Sequence, residues 1–584
     1  MDARERRVTG SGNVSLSVRE WGDVSAPTVV LVHGYPDNSD VWRHVVPLLS
    51  DRFHVVAYDV RGAGKSDAGR MFQGYALEHL VADLKAVIDA TVPDGKKVHL
   101  VGHDWGAIQG WEALLDDRVA PRVASYTFFG APCLDHAAWW LRKQVGVDPR
   151  KLAALAGQLL SSWYIFAFHA PFLAPTLWRS GLGRVWPTVL RLDGVKPSLV
   201  SNGTQAEDGA RGVWLYRANF IQKILHPNEG RTEAPVQVIT TSGDPFLSPK
   251  IATELEARVP NLWRRDLVAG HWAQLSHPGP IARWIGEFAD CVESGVEAES
   301  LRRARGRRRA ARREFESKLV VVTGAGSGIG RETAFAFAKR GADVVVVDLD
   351  TAAAERTAEG AREWGGRAHA YQVDVADGRA MEELAARIER ECGTPDIVIN
   401  NAGIGLAGPF LETSASDWNR VLDVNFGGVL HGSRLFAAQM AKRGIGGHIV
   451  NVASVAAYLP SRSMSAYCTS KAAVLMLSEC MRADLASSNI KVTAICPGVV
   501  RTNITQTSRF VGTDTDRQNR LRAKVSRLYA LRNFTPDRAA REILRACRDN
   551  RAVVPVTAEA KMFEVVGRLS PSTLRWIARW DPLA

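Results

Sequence analysis

Two groups of side chains in this 584-residue chain have types and spacings suited to chemistry. The first centres on Asp104 in Gly102-His103-Asp104-Trp105-Gly106, directly after the apolar run at 98–101. Small residues two places before and two after a central residue permit the sharp strand-to-helix turn that presents a nucleophile. Here the central residue is a carboxylate rather than a serine or cysteine. It is ionised at neutral pH without a helper base and suits displacement at a saturated carbon, leaving an ester that activated water must cut. Activating water needs a histidine oriented by an acid. His271 closes the run at 264–271 and Asp244 the run at 236–244, in the chain order nucleophile, acid, histidine. His33-Gly34-Tyr35-Pro36 puts a turn near the same place, so the amides of Tyr35 and Trp105 are candidate oxyanion donors.

The second group begins with Thr323-Gly324-Ala325-Gly326-Ser327-Gly328-Ile329-Gly330, between an apolar run and a helical stretch. Glycines there let the backbone approach a pyrophosphate, and a helix N-terminus stabilises its charge. Asp348, closing the run VVVVD, is positioned to accept from adenosine ribose hydroxyls. A carboxylate there repels a 2′-phosphate, and Ser327 brings no countering charge, so NAD(H) is favoured. Arg331 lies close enough to leave NADP(H) open. Further on, Tyr467-Cys468-Thr469-Ser470-Lys471 sets a phenol and an ammonium at i and i+4 on one helix face. A phenol with a pKa near ~10 is a poor base at neutral pH. A neighbouring ammonium stabilises the phenolate, making proton exchange with an alcohol or ketone feasible. Ser454, closing the run at 447–454, can hold the substrate oxygen.

These groups sit at the ends of short apolar runs, and the runs define the elements that must carry them. Stretches at 28–34, 53–59, 97–104, 124–132, 236–244 and 264–271 read as buried parallel strands, and 318–330, 343–350, 396–403, 447–454 and 490–498 repeat the pattern. Each half is therefore predicted as a doubly wound parallel α/β sheet with its ligands at the carboxyl ends of the strands.

Composition agrees with two large cores: 46% hydrophobic and 23% charged residues exclude collagen-like and wholly disordered chains. The net charge of +12 is unevenly spread. Residues 1–300 sum to −2 and 318–500 to −1, whereas 301–317 carry +6 and 501–584 carry +9. Two near-neutral bodies argue against a nucleic-acid enzyme. Seven scattered cysteines without a CxxC pair predict neither a disulfide framework nor a metal site. With no apolar leader in the first ten residues and no uncharged run near ~18 residues, the chain reads as cytoplasmic.

Over about residues 10–290 the chain resembles the α/β-hydrolase family, and within it the epoxide hydrolases. The motifs are His33-Gly34-Tyr35-Pro36, Asp59-x-Arg61-Gly62-x-Gly64-x-Ser66-Asp67 and Gly102-His103-Asp104-Trp105-Gly106. That resemblance implies a mostly helical cap, at about 133–232, with two tyrosines that grip the epoxide oxygen. Trp163-Tyr164-Ile165-Phe166 and Trp214-Leu215-Tyr216-Arg217-Ala218-Asn219 match the tyrosine-bearing segments, which assigns the roles to Tyr164 and Tyr216. Haloalkane dehalogenases share the Asp–His–acid plan, but many place a halide-binding Asn where this chain has Tyr35.

Over about 316–560 the chain resembles the short-chain dehydrogenase/reductase family. Besides the glycine loop (Gly324, Ser327, Gly328, Ile329, Gly330) it has Asp374-Val375 at the adenine side, Asn400-Asn401-Ala402-Gly403, and Pro497-Gly498-Val499-Val500-Arg501-Thr502 at the nicotinamide. The family's tetrad falls on Asn425, Ser454, Tyr467 and Lys471, with Asn425 part of a proton relay through water. Family likeness also implies a dimer or tetramer. The two-family order is similar to actinobacterial, especially mycobacterial, epoxide hydrolase–dehydrogenase fusions, which implies a lipid metabolic setting.

The expected organisation is an α/β-hydrolase domain at 1–298, an Arg-rich linker at 299–317, a Rossmann-type dehydrogenase domain at 318–556 and an amphipathic tail at 557–584. The linker and tail are candidate contacts with the inner face of an anionic membrane, for Leu574, Ile577 and Trp580 recur at helical spacing beside arginines. The expected function is bifunctional: epoxide opening to a diol through an Asp104 ester, then NAD-linked oxidoreduction of an alcohol or ketone on a lipid-like substrate, the diol passing from the first site to the second. The alternatives are a non-catalytic binding or membrane-targeting first half, or a dehalogenase one.

Overall fold

The computed structural model describes residues 3–70, 72–170, 172–197, 203–247, 255–305, 313–532 and 534–579. The chain divides into two compact units, Met1–Arg309 and Ala310–Ala584.

In the first unit, β1 (Arg4–Thr9), β2 (Ser15–Trp21), β3 (Thr28–Val32), β4 (His54–Tyr58), β5 (Val98–His103), β6 (Val123–Phe129), β7 (Val236–Thr241) and β8 (Leu262–Leu267) form one sheet in the order β1-β2-β4-β3-β5-β6-β7-β8. From β4 to β8 every pairing is parallel. β3, β4 and β5 are buried along their whole length, as expected of strands covered on both faces. The apolar runs of β3 and β4 follow from that double burial, while β5 also buries His99, which is hydrogen-bonded to Ser125 and Glu293.

The edge is different. β1 and β2 form an antiparallel hairpin, and β2 joins β4 antiparallel. The wholly parallel sheet expected of this half is corrected here. RERRVT has one buried side chain, Val8, so no apolar run announced it. A charged, exposed edge strand of this kind resists pairing with other chains.

Between β6 and β7 lies a helical insertion: Leu134–Gln144, Pro149–Ser161, Trp163–His169, Leu173–Leu177, Gly183–Leu192 and Gln205–Leu225. The last of these packs Val213, Leu215 and Tyr216 into the same apolar cluster as β3 and β5.

In the second unit, β9 (Leu319–Thr323), β10 (Asp343–Asp348), β11 (Ala368–Gln372), β12 (Ile397–Asn400), β14 (Gly447–Val452), β15 (Ile490–Cys496) and β17 (Val553–Pro555) form a parallel sheet, while β13 (Leu406–Ala407) pairs with β16 (Arg509–Phe510). The order β11-β10-β9-β12-β14-β15-β17 reverses direction beside β9, which makes the ends of β9 and β12 the switch point where ligands bind. β11 and β17 had no signal in the sequence, being a five-residue AHAYQ and a three-residue VVP.

The arginine-rich connector is shorter than 299–317. Residues Glu299–Ala304 form a helix whose Leu301 is fully buried against Trp263 and Phe288. At the other end Phe315 is buried against Phe337, ring centroids 4.8 Å apart. Single apolar residues among the arginines thus anchor each end to its own unit, and the intervening 306–312 lie outside the described residues. In the tail, helices Ala558–Leu569 and Pro571–Ile577 are described, with Leu574 buried; Trp580 falls outside.

Candidate active sites

In the first unit β5 runs straight into the elbow. Asp104 has φ 51° and ψ −120°, a conformation a non-glycine residue occupies only when its surroundings force it. The surroundings are close. A Cβ on Gly106 would lie 2.3 Å from the Val32 carbonyl oxygen, and one on Gly102 would lie 2.5 Å from that of Gly106. The flanking glycines are therefore required by contact.

The Asp104 carboxylate is buried at the start of the helix Trp105–Leu115. The Tyr35 amide donates to its Oδ1 at 2.8 Å, and the Trp105 amide adds a second donor to the carboxylate. Its Oδ2 lies 3.7 Å from His271 Nε2. The two oxygens are thus distinguished: Oδ1 is held by the Tyr35 amide, and Oδ2 faces the imidazole. Burial raises the Asp104 pKa, while His271 and the two amides act against it.

His271 is fixed from two sides. Its Nδ1 lies 2.8 Å from Asp244 Oδ2, and Asp244 Oδ1 accepts from the amides of Phe246 and Leu247. Burial disfavours the imidazolium, but the Asp244 carboxylate and then Asp104 outweigh it and hold His271 up at about 9. Tyr164 and Tyr216 come from two cap helices, with ring centroids 6.1 Å apart. Tyr216 packs on Trp105 at 4.9 Å and on Tyr35 at 5.3 Å. Burial and the Asp104 charge both raise their pKa values, so the phenols are protonated at neutral pH. Phe168 and Phe246 complete an aromatic wall against Tyr216, Tyr164 and His271. All seven residues singled out from the sequence for this half converge here.

Sequence reading missed the groups that position them. Asp193, at the end of cap helix Gly183–Leu192, accepts from the backbone amides of His271 at 2.9 Å and Trp272 at 2.8 Å. His103 Nε2 lies 3.1 Å from the His271 carbonyl, with Gln274 donating to its Nδ1. The motif around Asp59 proves to be scaffold: Asp59 accepts from Ser39 and Lys65 amides, and Arg61 pairs with buried Asp83.

In the second unit the glycine loop joins β9 to the helix Gly328–Ala338. Gly324 and Gly328 have φ of +62° and +58°, and a Cβ on Gly324 would lie 2.7 Å from the Ala402 Cα. Asn401 donates to the carbonyls of Thr323 and Gly324, and Thr323 Oγ1 accepts from the amides of Asn401 and Ala402. Asp348 Oδ2 accepts from the Gly326 amide at 2.7 Å and Oδ1 from the Asp350 amide at 3.0 Å, which fixes the carboxylate at the end of β10. Ser327 is exposed at the helix N-cap; Ile329 is half-buried and Gly330 buried. On the adenine side, Asp374 Oδ1 accepts from the Ala376 amide, and Val375 is buried against Gly428.

From the opposite side, the Pro497 carbonyl accepts from Val455, Val500 is buried, and Thr502 comes against the Cβ position of Gly328. The glycine loop and this segment thus meet at Gly328 and Thr502, which fits the two sides of a dinucleotide site. A second support was missed: Glu559, in the tail, accepts from the Val499 amide at 3.0 Å and crowds the Cβ position of Gly498.

The tetrad lies close by, through the 402–403 turn, where Ala402 packs on Gly324 and Gly403 faces Asn425 and Lys471. Tyr467 and Lys471 share the helix Ser465–Asp484, and Lys471 Nζ donates to the Val452 carbonyl at 2.9 Å. Burial lowers the Lys471 pKa to about 8. Asn425 sits in a π-helical turn, Asp423–Gly427, a distortion often found at functional sites. Its side chain bridges the Ile404 amide and carbonyl and donates to Ser470. Ser454 Oγ accepts from the Ala456 amide. A Cβ on Gly403 would stand 3.1 Å from Asn425 Oδ1 and 3.4 Å from Lys471 Nζ, so this glycine leaves room between them.

Comparison with known proteins fits both sites. Residues 27–278 match the model of the alpha/beta hydrolase fold, and 318–510 that of the short chain dehydrogenases. "Probable oxidoreductase EphD" of Mycobacterium tuberculosis is 41% identical over 98% of this chain and 98% of its own length. The chain belongs to the EphD family of hydrolase–dehydrogenase fusions. Its second unit is a short-chain oxidoreductase that uses a nicotinamide cofactor. Within that unit, meso-2,3-butanediol dehydrogenase of Serratia marcescens is 36% identical, over 33% of this chain and 74% of its own. A solved short chain dehydrogenase/reductase of Burkholderia phymatum, in complex with NAD, is 31% identical over 46% of this chain and 99% of its own, with a TM-score of 0.42.

Proposed function

We propose that the first unit opens epoxides of lipid-like substrates to vicinal diols and that the second transfers hydride between NAD(H) and an alcohol or ketone. The observation that carries the hydrolase reading is the asymmetric Asp104 carboxylate, with Oδ1 on the Tyr35 amide, Oδ2 toward His271, and two protonated cap phenols nearby. The free oxygen attacks an epoxide carbon; the C–O bond breaks, and the departing alkoxide takes its proton from Tyr164 or Tyr216. His271 then removes a proton from water, which attacks Asp104 Cγ. Negative charge develops on Oδ1, where the Tyr35 amide already points, with the Trp105 amide donating to the same carboxyl group. Collapse breaks the Cγ–Oδ2 bond: the departing diol oxygen takes the proton from His271, the remaining hydroxyl proton returns to the tyrosine phenolate, and the carboxylate is regenerated with one solvent oxygen in it.

At the second site the glycine loop, Asp348 and the 497–502 segment would hold a nicotinamide dinucleotide, whose chemistry is hydride transfer. Ser454 holds the substrate oxygen, Tyr467 exchanges the proton with it, and buried Lys471 stabilises the phenolate. The fixed Asp348 carboxylate favours NAD(H), and Arg331, the nearest cation in sequence to a 2′-phosphate, lies 3.5 Å from Glu332. The aromatic wall of the first site supports an apolar substrate. We infer that the steps run in sequence, the diol being oxidised second; two sites acting on neighbouring oxidation states of carbon support this reading. We also infer a homo-oligomer acting at the cytoplasmic side of the cell envelope.

A single turnover of excess enzyme with a long-chain epoxide in heavy-oxygen water tests the hydrolase reading. The Asp104 peptide should gain one heavy oxygen. Diol formation with a light Asp104 would mean direct attack by water.

A further inference from the structure

The cap has an outer face that neither site uses. Of the twenty-nine large apolar side chains exposed among the described residues, thirteen lie between 145 and 192. On helices Pro149–Ser161 and Trp163–His169 they fall in register. Leu152, Leu159, Leu160, Trp163 and Phe166 recur at helical spacing, with Leu160 74%, Trp163 67% and Phe166 64% exposed. The opposite face of the second helix carries Tyr164 and Phe168, which pack inward against the core around Tyr35 and Tyr216. One short helix thus presents a phenol to Asp104 and, on its other side, a Trp and a Phe to solvent. Contiguous apolar surface of this kind marks an interaction site.

Charge says what kind. Residues 134–196 contain eight Lys and Arg against three Asp and no Glu. Asp135 is fully buried, Asp193 holds the His271 and Trp272 amides, and Asp148 caps the helix that follows it. Arg150 and Lys151, at the start of the apolar stripe, and Arg184, on helix Gly183–Leu192, have no recorded carboxylate partner among the described residues. An apolar stripe with Trp and Phe, edged by unpaired cations, is complementary to an anionic bilayer surface. No single described helix is long and apolar enough to cross a membrane. The pair Pro149–Ser161 and Trp163–His169 together has that length and apolarity, across a 48° bend. Because the second helix keeps Tyr164 at the site, the pair lies along a membrane surface and does not pass through it.

We propose that the cap is a membrane-docking surface: the stripe Leu152, Leu159, Leu160, Trp163 and Phe166, with Arg150 and Lys151 at its start, seats on an anionic lipid bilayer and admits apolar substrate beside Tyr164. The docking does not depend on which reaction Asp104 performs. It also differs in place from the connector and the tail.

The test is co-sedimentation of the full chain with vesicles of phosphatidylglycerol and phosphatidylcholine, against phosphatidylcholine alone. The wild type binds the anionic vesicles and not the neutral ones. Each basic side chain near an anionic surface contributes roughly a fivefold factor in partitioning, so R150E/K151E lowers binding by about 25-fold or more. W163S/F166S lowers it at least about tenfold. Dehydrogenase turnover and turnover of a short soluble epoxide serve as folding controls and stay unchanged in both variants. Absence of binding by the wild type overturns the proposal. So does equal binding by both variants, which would move the contact to the connector or tail. Altered self-association with unaltered vesicle binding also overturns it, for the occupant would then be a second copy of the chain.

Discussion

The charge on Asp104 should control the protonation of His271, and Asp104→Asn isolates that control. In the resting enzyme His271 lies at about 9, with Asp104 Oδ2 3.7 Å from its Nε2. A protonated imidazole cannot take a proton from water, so the resting pair is poised for attack on substrate rather than for hydrolysis. Ester formation removes the Asp104 charge, and an asparagine mimics that neutral state. Two full charges near 4 Å interact by about 4 kcal/mol at an effective dielectric of about 20, and spreading the charge over carboxylate and ring roughly halves this. At 1.36 kcal/mol per pKa unit, His271 should fall by about 1.5 to 3 units, to between about 6 and 7.5. The assay is a histidine NMR titration of the full chain, with His271 assigned by loss of its signal in His271→Gln. Single-turnover hydrolysis of the trapped ester should rise with pH through the same lower midpoint. The sign for stability follows. A histidine raised above its unfolded value near ~6.5 contributes stability fully below that pH and loses it as pH rises through about 9. In Asp104→Asn that loss should move to lower pH. A fall in the His271 midpoint of under about 0.5 unit would show that the ester does not switch the base, and the two-stage argument would fail.

Asp193→Ala removes the acceptor for the His271 and Trp272 amides; it should cost roughly 1–3 kcal/mol in stability, seen by denaturant unfolding. It should also slow ester hydrolysis about tenfold while leaving ester formation nearly unchanged, and equal slowing of both phases would argue against a role through His271. Tyr467→Phe should lower dehydrogenase turnover by at least about 100-fold with diol formation intact, measured on the same preparation. Lys471→Met removes the buried ammonium held at about 8, so the pH dependence of alcohol oxidation should change in shape as well as height. Asp348→Ser removes the carboxylate that holds the Gly326 amide and should improve use of NADP relative to NAD by at least about tenfold in kcat/KM.

What the sequence made legible and what it hid divide along a physical line. Asp104 was readable because its own turn dictates its neighbours: Gly102 and Gly106 leave no room for a Cβ. Tyr467 and Lys471 were readable because one helix sets their separation, and the strands β3, β9 and β10 because burial on both faces demands apolar runs. The β1–β2 hairpin was hidden because an exposed edge needs no apolar pattern, and Leu301 and Phe315 because each is a single anchor inside a charged stretch. Asp193 was hidden for a different reason. It stands 78 residues before His271, before a glycine, where an Asp reads as the end of a helix. Glu559, 60 residues after Val499, is the same case. Both meet their partners only when an inserted or appended helix folds back over a sheet. Groups whose task is set by local backbone geometry can be found by spacing. Groups that hold a reacting residue from outside require the tertiary contact itself, so the positioning residues, rather than the reacting ones, are where the structure adds chemistry.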